Sequence, residues 1–124
     1  MKGAYLEPDE IAYQRRREVD RNFARISATL LGAGGTVYFA THDPKLLEGA
    51  RSFIRNRSIS VRRYEFQFLF GVRRDLQASL VREGEPVRVY IPYGTEWYPY
   101  LTRRLAERPA NIRFFLSNLV RVRE

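Results

Sequence analysis

A chain of 124 residues with a hydrophobic fraction of 44% matches one domain able to bury a moderate core. It has no cysteine and a single histidine, which excludes a disulfide framework, a thiolate zinc site and a multi-histidine metal centre within the chain. A net charge of +8 raises an anionic partner as a question, while no run approaches the ~20 apolar residues of a membrane-spanning helix and the N-terminus lacks a secretion signal, so the cytoplasm is the favoured compartment.

In chain order, Lys2 to Leu6 reads as the remnant of a strand. From Pro8 to Leu31 the apolar residues Val19, Phe23, Ile26 and Leu30 recur at steps of three and four, which predicts a helix stopped by Gly32, Gly34 and Gly35. Arg17, Arg21 and Arg25 share a stripe of that helix, interrupted at its start by Glu18 and Asp20. A solvated outer face is its favoured reading and a phosphate-binding surface the alternative. Thr36 to His42 is rich in β-branched and aromatic residues, as in a strand buried on both faces. Asp43 can then cap a helix whose first turn accepts Pro44 and whose inner face carries Leu46, Ala50 and Phe53.

The unit then repeats. Tyr64 to Phe70 reads as a strand, and Asp75 to Arg82 as a helix with Leu76 and Leu80 inward, ending near Gly84. Val87 to Ile91 is the next strand, followed by a turn at Pro92-Tyr93-Gly94, a helix from Trp97 to Arg108 broken by Pro109, and an amphipathic segment carrying Phe115, Leu116, Leu119 and Val120. Alternating strands and helices imply a parallel α/β sheet, either doubly wound and open or part of a (β/α)8 barrel, which takes eight such units in ~250 residues. Four units, opening inside a strand, predict the second half of such a barrel.

Ligands in either fold gather beyond the carboxyl ends of the strands. Those ends carry Tyr5 with Glu7, Thr41 with His42, Leu69 with Phe70, and Tyr90 to Tyr93. On the helix after the last strand, Tyr100, Arg103, Arg104 and Glu107 fall at spacings that share one face. Two adjacent guanidinium forks suit a small carboxylate, with Glu107 orienting them; an exposed, salt-bridged surface is the other reading. Gly32-Ala33-Gly34-Gly35 precedes a strand and does not join a strand to a helix, so it is no phosphate loop, and no serine nucleophile elbow is present.

The segment from Tyr90 to Asn111, YIPYGTEWYPYLTRRLAERPAN, closely resembles the last strand and helix of proline dehydrogenases. Lys2 to Tyr5, Ala40 to Asp43 and Tyr64 to Gly71 agree with the same family in order and spacing. The resemblance implies that residues 1–124 are the C-terminal part of a distorted (β/α)8 catalytic domain with non-covalent FAD. It implies oxidation of L-proline to Δ1-pyrroline-5-carboxylate in proline catabolism, with a hydride passing from ring C5 to flavin N5 and electrons going on to a quinone. Contact with the inner face of a membrane follows from the quinone, and no nucleic-acid partner is expected.

By the same resemblance, Arg103 and Arg104 bind the proline carboxylate, Glu107 supports them, and Tyr90, Tyr100, Leu69 and Tyr5 line the substrate. Lys2, Gly3, Ala4, Thr41 and His42 contact the flavin. The catalytic residues that the family supplies upstream of Lys2 have no counterpart in this sequence. Half a barrel would have unpaired sheet edges, so the chain is expected to be incomplete alone or to need an N-terminal half in trans. A basic nucleic-acid-binding module and an interaction remnant are the alternatives from other classes.

Overall fold

The computed structural model describes residues 7–95. Three helices alternate with three strands: α1 (Arg16–Gly32), β1 (Val37–Phe39), α2 (Pro44–Asn56), β2 (Tyr64–Leu69), α3 (Arg74–Arg82) and β3 (Val87–Tyr90), with a short 3-10 turn, Val61–Arg63, leading into β2. The strands form one parallel sheet in the order β1-β2-β3. This is the expected α/β class with parallel strands, in an open sheet consistent with part of an α/β barrel. The expected strand at Lys2 to Leu6, the helix from Trp97 to Arg108 and the final amphipathic segment lie outside the described residues.

The core forms where the helices cover one face of the sheet. Along β2, Tyr64, Phe66 and Phe68 are buried and alternate with Glu65, Gln67 and Leu69, which lie on the opposite face. Phe39 stacks on Phe66 with ring centroids 5.4 Å apart, and Leu31, Leu47, Ile54 and Leu80 close over them from the three helices. Burying each such side chain contributes roughly 1.5–3 kcal/mol, and this face supplies most of the driving force for docking the helices.

The expectation that the first strand is buried on both faces is corrected. Phe39 is 0% exposed but Tyr38, its neighbour on the other face, is 61% exposed, because the described helices pack on one side only. The helix expected from Pro8 begins at Arg16. Before it, Pro8 C=O accepts the N–H groups of Ile11 and Ala12 at 3.2 and 3.1 Å, and Gln14 Nε2 donates back to Glu7 C=O at 2.8 Å. These bonds hold the segment in a turn.

Two helix faces are also rotated from expectation. Leu31 (1% exposed), and not Leu30 (47%), enters the core from α1, and Leu47 displaces Leu46 as the central contact of α2, with Ala50 and Phe53 at its margin. Residues seven or eight apart share a stripe, and the inward pairs are partly buried Phe23 with buried Leu31, and buried Leu47 with buried Ile54. The cap of α2 is as expected: Asp43 Oδ1 accepts the Lys45 N–H at 3.0 Å and Pro44 occupies the first turn.

Two charged clusters tie the layers together. The Arg63 guanidinium donates to the carbonyls of Leu31, in the last turn of α1, and Gly35, just beyond it, and so ties the end of that helix to the start of β2. Arg51 on α2 donates to Glu48, Glu83 and Glu85, and the Tyr64 hydroxyl donates to Glu85 Oε2 at 2.7 Å.

Candidate functional site at the carboxyl ends of the strands

Thr41, His42, Leu69 and Tyr90 come together where three adjacent parallel strands end. Leu69 and Tyr90 are cross-strand partners on the face opposite the helices, and the Phe70 N–H donates to the Tyr90 carbonyl at 2.9 Å, extending the ladder by one bond. Parallel strands bring their ends to one rim, so residues far apart in sequence become neighbours there.

His42 leaves β1 and turns back over β2. Its Nε2 accepts the Leu69 N–H at 3.0 Å, and its ring meets Phe68 edge-on, centroids 5.5 Å apart. Burial first, and then the positive charge of Arg73, hold the imidazole below its ordinary pKa of 6.5, so it is neutral at neutral pH. With Nε2 accepting, the ring proton of the neutral form resides on Nδ1. Thr41 is buried, and its Oγ1 accepts the Asp43 N–H at 3.3 Å, which leaves the hydroxyl proton able to donate elsewhere.

The loop after β2 is shaped by Arg73, which adopts the left-handed conformation at φ 52°, ψ 50°. Its fork spans the Asp75 carboxylate, Nε to Oδ1 at 3.0 Å and Nη2 to Oδ2 at 2.7 Å, and holds that carboxyl below its usual range. Gln77 closes the same loop by donating to the Val72 carbonyl at 2.8 Å.

Sequence reasoning did not single out the polar group lower on the same face. Arg88 on β3 grips Glu65 on β2 with two bonds, 2.7 and 2.9 Å, and Gln67 Nε2 donates to the same carboxylate at 2.9 Å. The Arg88 fork, then Gln67, depresses the Glu65 pKa. The signal was available in the alternation of Tyr64 to Leu69, which sets Glu65 and Gln67 on the face that Leu69 shares. Arg17, Arg21 and Arg25 are exposed along α1, in keeping with a solvated face. Lys2, Gly3, Ala4, Tyr5, Tyr100, Arg103, Arg104 and Glu107 lie outside the described residues. Among the described residues, no helix is long and apolar enough to cross a membrane.

The family model for proline dehydrogenase matches residues 1–116. A proline dehydrogenase of Deinococcus radiodurans is 43% identical over 121 residues, covering 98% of this chain and 39% of that protein. Proline dehydrogenase 2 of Bacillus subtilis is 40% identical over the same length, covering 98% of the chain and 40% of the relative. The bifunctional protein PutA of Rhizobium meliloti is 38% identical over 131 aligned positions, covering 92% of the chain but 11% of that protein. The chain thus spans about 40% of the length of the proline dehydrogenases it matches.

Proposed function

The chain belongs to the proline dehydrogenase family, and from that premise we propose that residues 1–124 are the C-terminal part of a (β/α)8 oxidoreductase domain that supplies part of its flavin and proline sites. The single observation that carries this reading is the gathering of Thr41, His42, Leu69 and Tyr90 at the ends of adjacent parallel strands, within a chain matched to the family over residues 1–116.

The donor set fits a flavin. Thr41 and His42 are both neutral, and each retains a proton to donate after its observed bond, Oγ1–H on one and Nδ1–H on the other. Such donors match the carbonyl and ring-nitrogen acceptors of a heteroaromatic cofactor without placing a net charge beside it. Lys2, Gly3 and Ala4 complete the residues that would hold it. The bound FAD would take up a hydride from proline C5 at its N5 and pass the electrons to a quinone.

The remaining work falls to the chain. Arg103 and Arg104 would clamp the proline carboxylate bidentately, with Glu107 orienting their forks. Tyr90, Tyr100, Tyr5 and Leu69 would wall the ring and exclude water, which fixes C5 in position. Hydride transfer depends on that placement more than on acid or base strength. With the hydride gone from C5 and the ring nitrogen's proton lost to solvent, the product would be Δ1-pyrroline-5-carboxylate, and quinone access would bring the assembled protein to the inner face of a membrane from the cytoplasm. The rest of the barrel would be contributed by a segment corresponding to the part of the relatives that this chain does not cover.

The test is flavin absorbance of the purified chain, alone and with that segment supplied as a separate polypeptide, followed by anaerobic proline. A yellow protein bleached by proline only when both polypeptides are present is the expected result. Absence of flavin in both conditions would overturn the reading.

A further inference from the structure

The backbone of Leu69 is held from two directions at the point where β2 gives way to its loop. On one side its N–H donates to His42 Nε2 at 3.0 Å, and on the other its carbonyl accepts the Val72 N–H at 3.1 Å in a turn that Gln77 closes through Val72. A ladder bond from β1 cannot serve this N–H, because β1 ends at Phe39, paired with Phe66. The imidazole therefore takes the place of a strand three residues further along. Phe68 braces the ring edge-on, which limits its rotation.

We propose that His42 is a positioning residue for Leu69: fixed as the Nδ1–H tautomer, it acts as a side-chain continuation of β1 that couples the flavin-contact position to the substrate wall. The coupling to flavin and proline rests on the function proposed above, whereas the tautomer and the bond do not. One consequence is chemical. The imidazole has its acceptor nitrogen occupied and a single donor remaining, so any group it meets at Nδ1 must be a hydrogen-bond acceptor. A second is mechanical, since a displacement of the imidazole by a ligand at Nδ1 is transmitted to the Leu69 amide through one bond.

Because His42 is the chain's one histidine, nitrogen-15 long-range correlation spectra of the full chain report its tautomer without overlap. The expected spectrum is a neutral ring protonated at Nδ1. Leu69 amide exchange should quicken by about five- to tenfold in His42→Leu, the loss of one typical hydrogen bond, and should stay near the parent rate in His42→Gln, whose side-chain carbonyl can still accept. In the parent chain the same amide should lose protection in step with protonation of the ring as pH falls. A ring protonated at Nε2, or a Leu69 amide indifferent to both pH and His42→Leu, would overturn the proposal. If His42→Leu fails to fold, the parent spectrum and the Gln variant decide it. None of these readouts uses flavin or proline, so they can fail, or succeed, independently of the enzymatic reading.

Discussion

Burial and the nearby charge of Arg73 make protonation of His42 costly in the fold. Its folded pKa lies below the 6.5 of the free side chain, so the unfolded chain takes up the proton first as pH falls. The stabilisation is complete above about 6.5 and is lost as pH falls from there through the folded pKa. Denaturant midpoints should decline as pH falls below about 6.5, and His42→Gln should flatten that decline. The depressed carboxylates Glu65 and Asp75 have the same sign but act below their ordinary values of 4.5 and 3.8, in a separate window. Tyr64 behaves oppositely. Burial, then its bond to Glu85, push its phenol up to about 12 from 10.0, so its contribution is full below pH 10 and lost as pH rises towards 12. A late tyrosinate absorbance step near pH 12 should disappear in Tyr64→Phe.

Elements in this protein are set off by their ends. Gly84 follows α3 with φ +77°, and an added Cβ there would meet nothing within 4 Å. Gly84→Ala should therefore cost about 1–2 kcal/mol, all of it from the left-handed backbone, as read by equilibrium unfolding. A larger loss would mean that the turn carries packing not visible around the glycine. At the start of the same helix, Arg73 adopts the left-handed region without being glycine, held there by its fork on Asp75. The β2–β3 pair is fastened on its site face by Glu65 and Arg88, which keeps Leu69 opposite Tyr90 at the rim above.

At the scale of the molecule, one aromatic layer joins α1, β1 and β2 through Phe23, Phe39, Phe66 and Tyr64. Phe66 contacts Phe39 and Tyr64 by ring packing and is 0% exposed. Phe66→Ala should destabilise the chain by about 3–5 kcal/mol, a large share of the ~5–15 kcal/mol typical of a whole domain, and a urea titration should show a correspondingly early transition. The opposite face of the described sheet carries Tyr38, Glu65, Gln67, Leu69, Arg88 and Tyr90, a mixed polar and aromatic layer. In the proposed barrel that face would be the interior and its upper edge the substrate wall.

Local pattern alone determined the alternation of strands and helices, the Asp43-Pro44 helix start, the glycine stop near Gly84 and the inward Leu80, because each depends on residues within one or two turns of chain. The strand ends read from the same pattern carry Thr41 with His42, Leu69 and Tyr90, and parallel strands bring such ends to one side; the roles of these residues towards flavin and proline rest on the resemblance. Tertiary structure decided the rest. Leu31 and Leu47 displaced Leu30 and Leu46 because the angle at which a helix docks selects its buried stripe, and periodicity leaves that choice open by one residue. Tyr38 proved one-sided because burial depends on which faces other elements cover. The bond from Leu69 to His42 and the grip of Arg88 on Glu65 span 27 and 23 residues. No local spacing encodes such pairs; they exist only because the sheet brings separate strands within a hydrogen bond of each other.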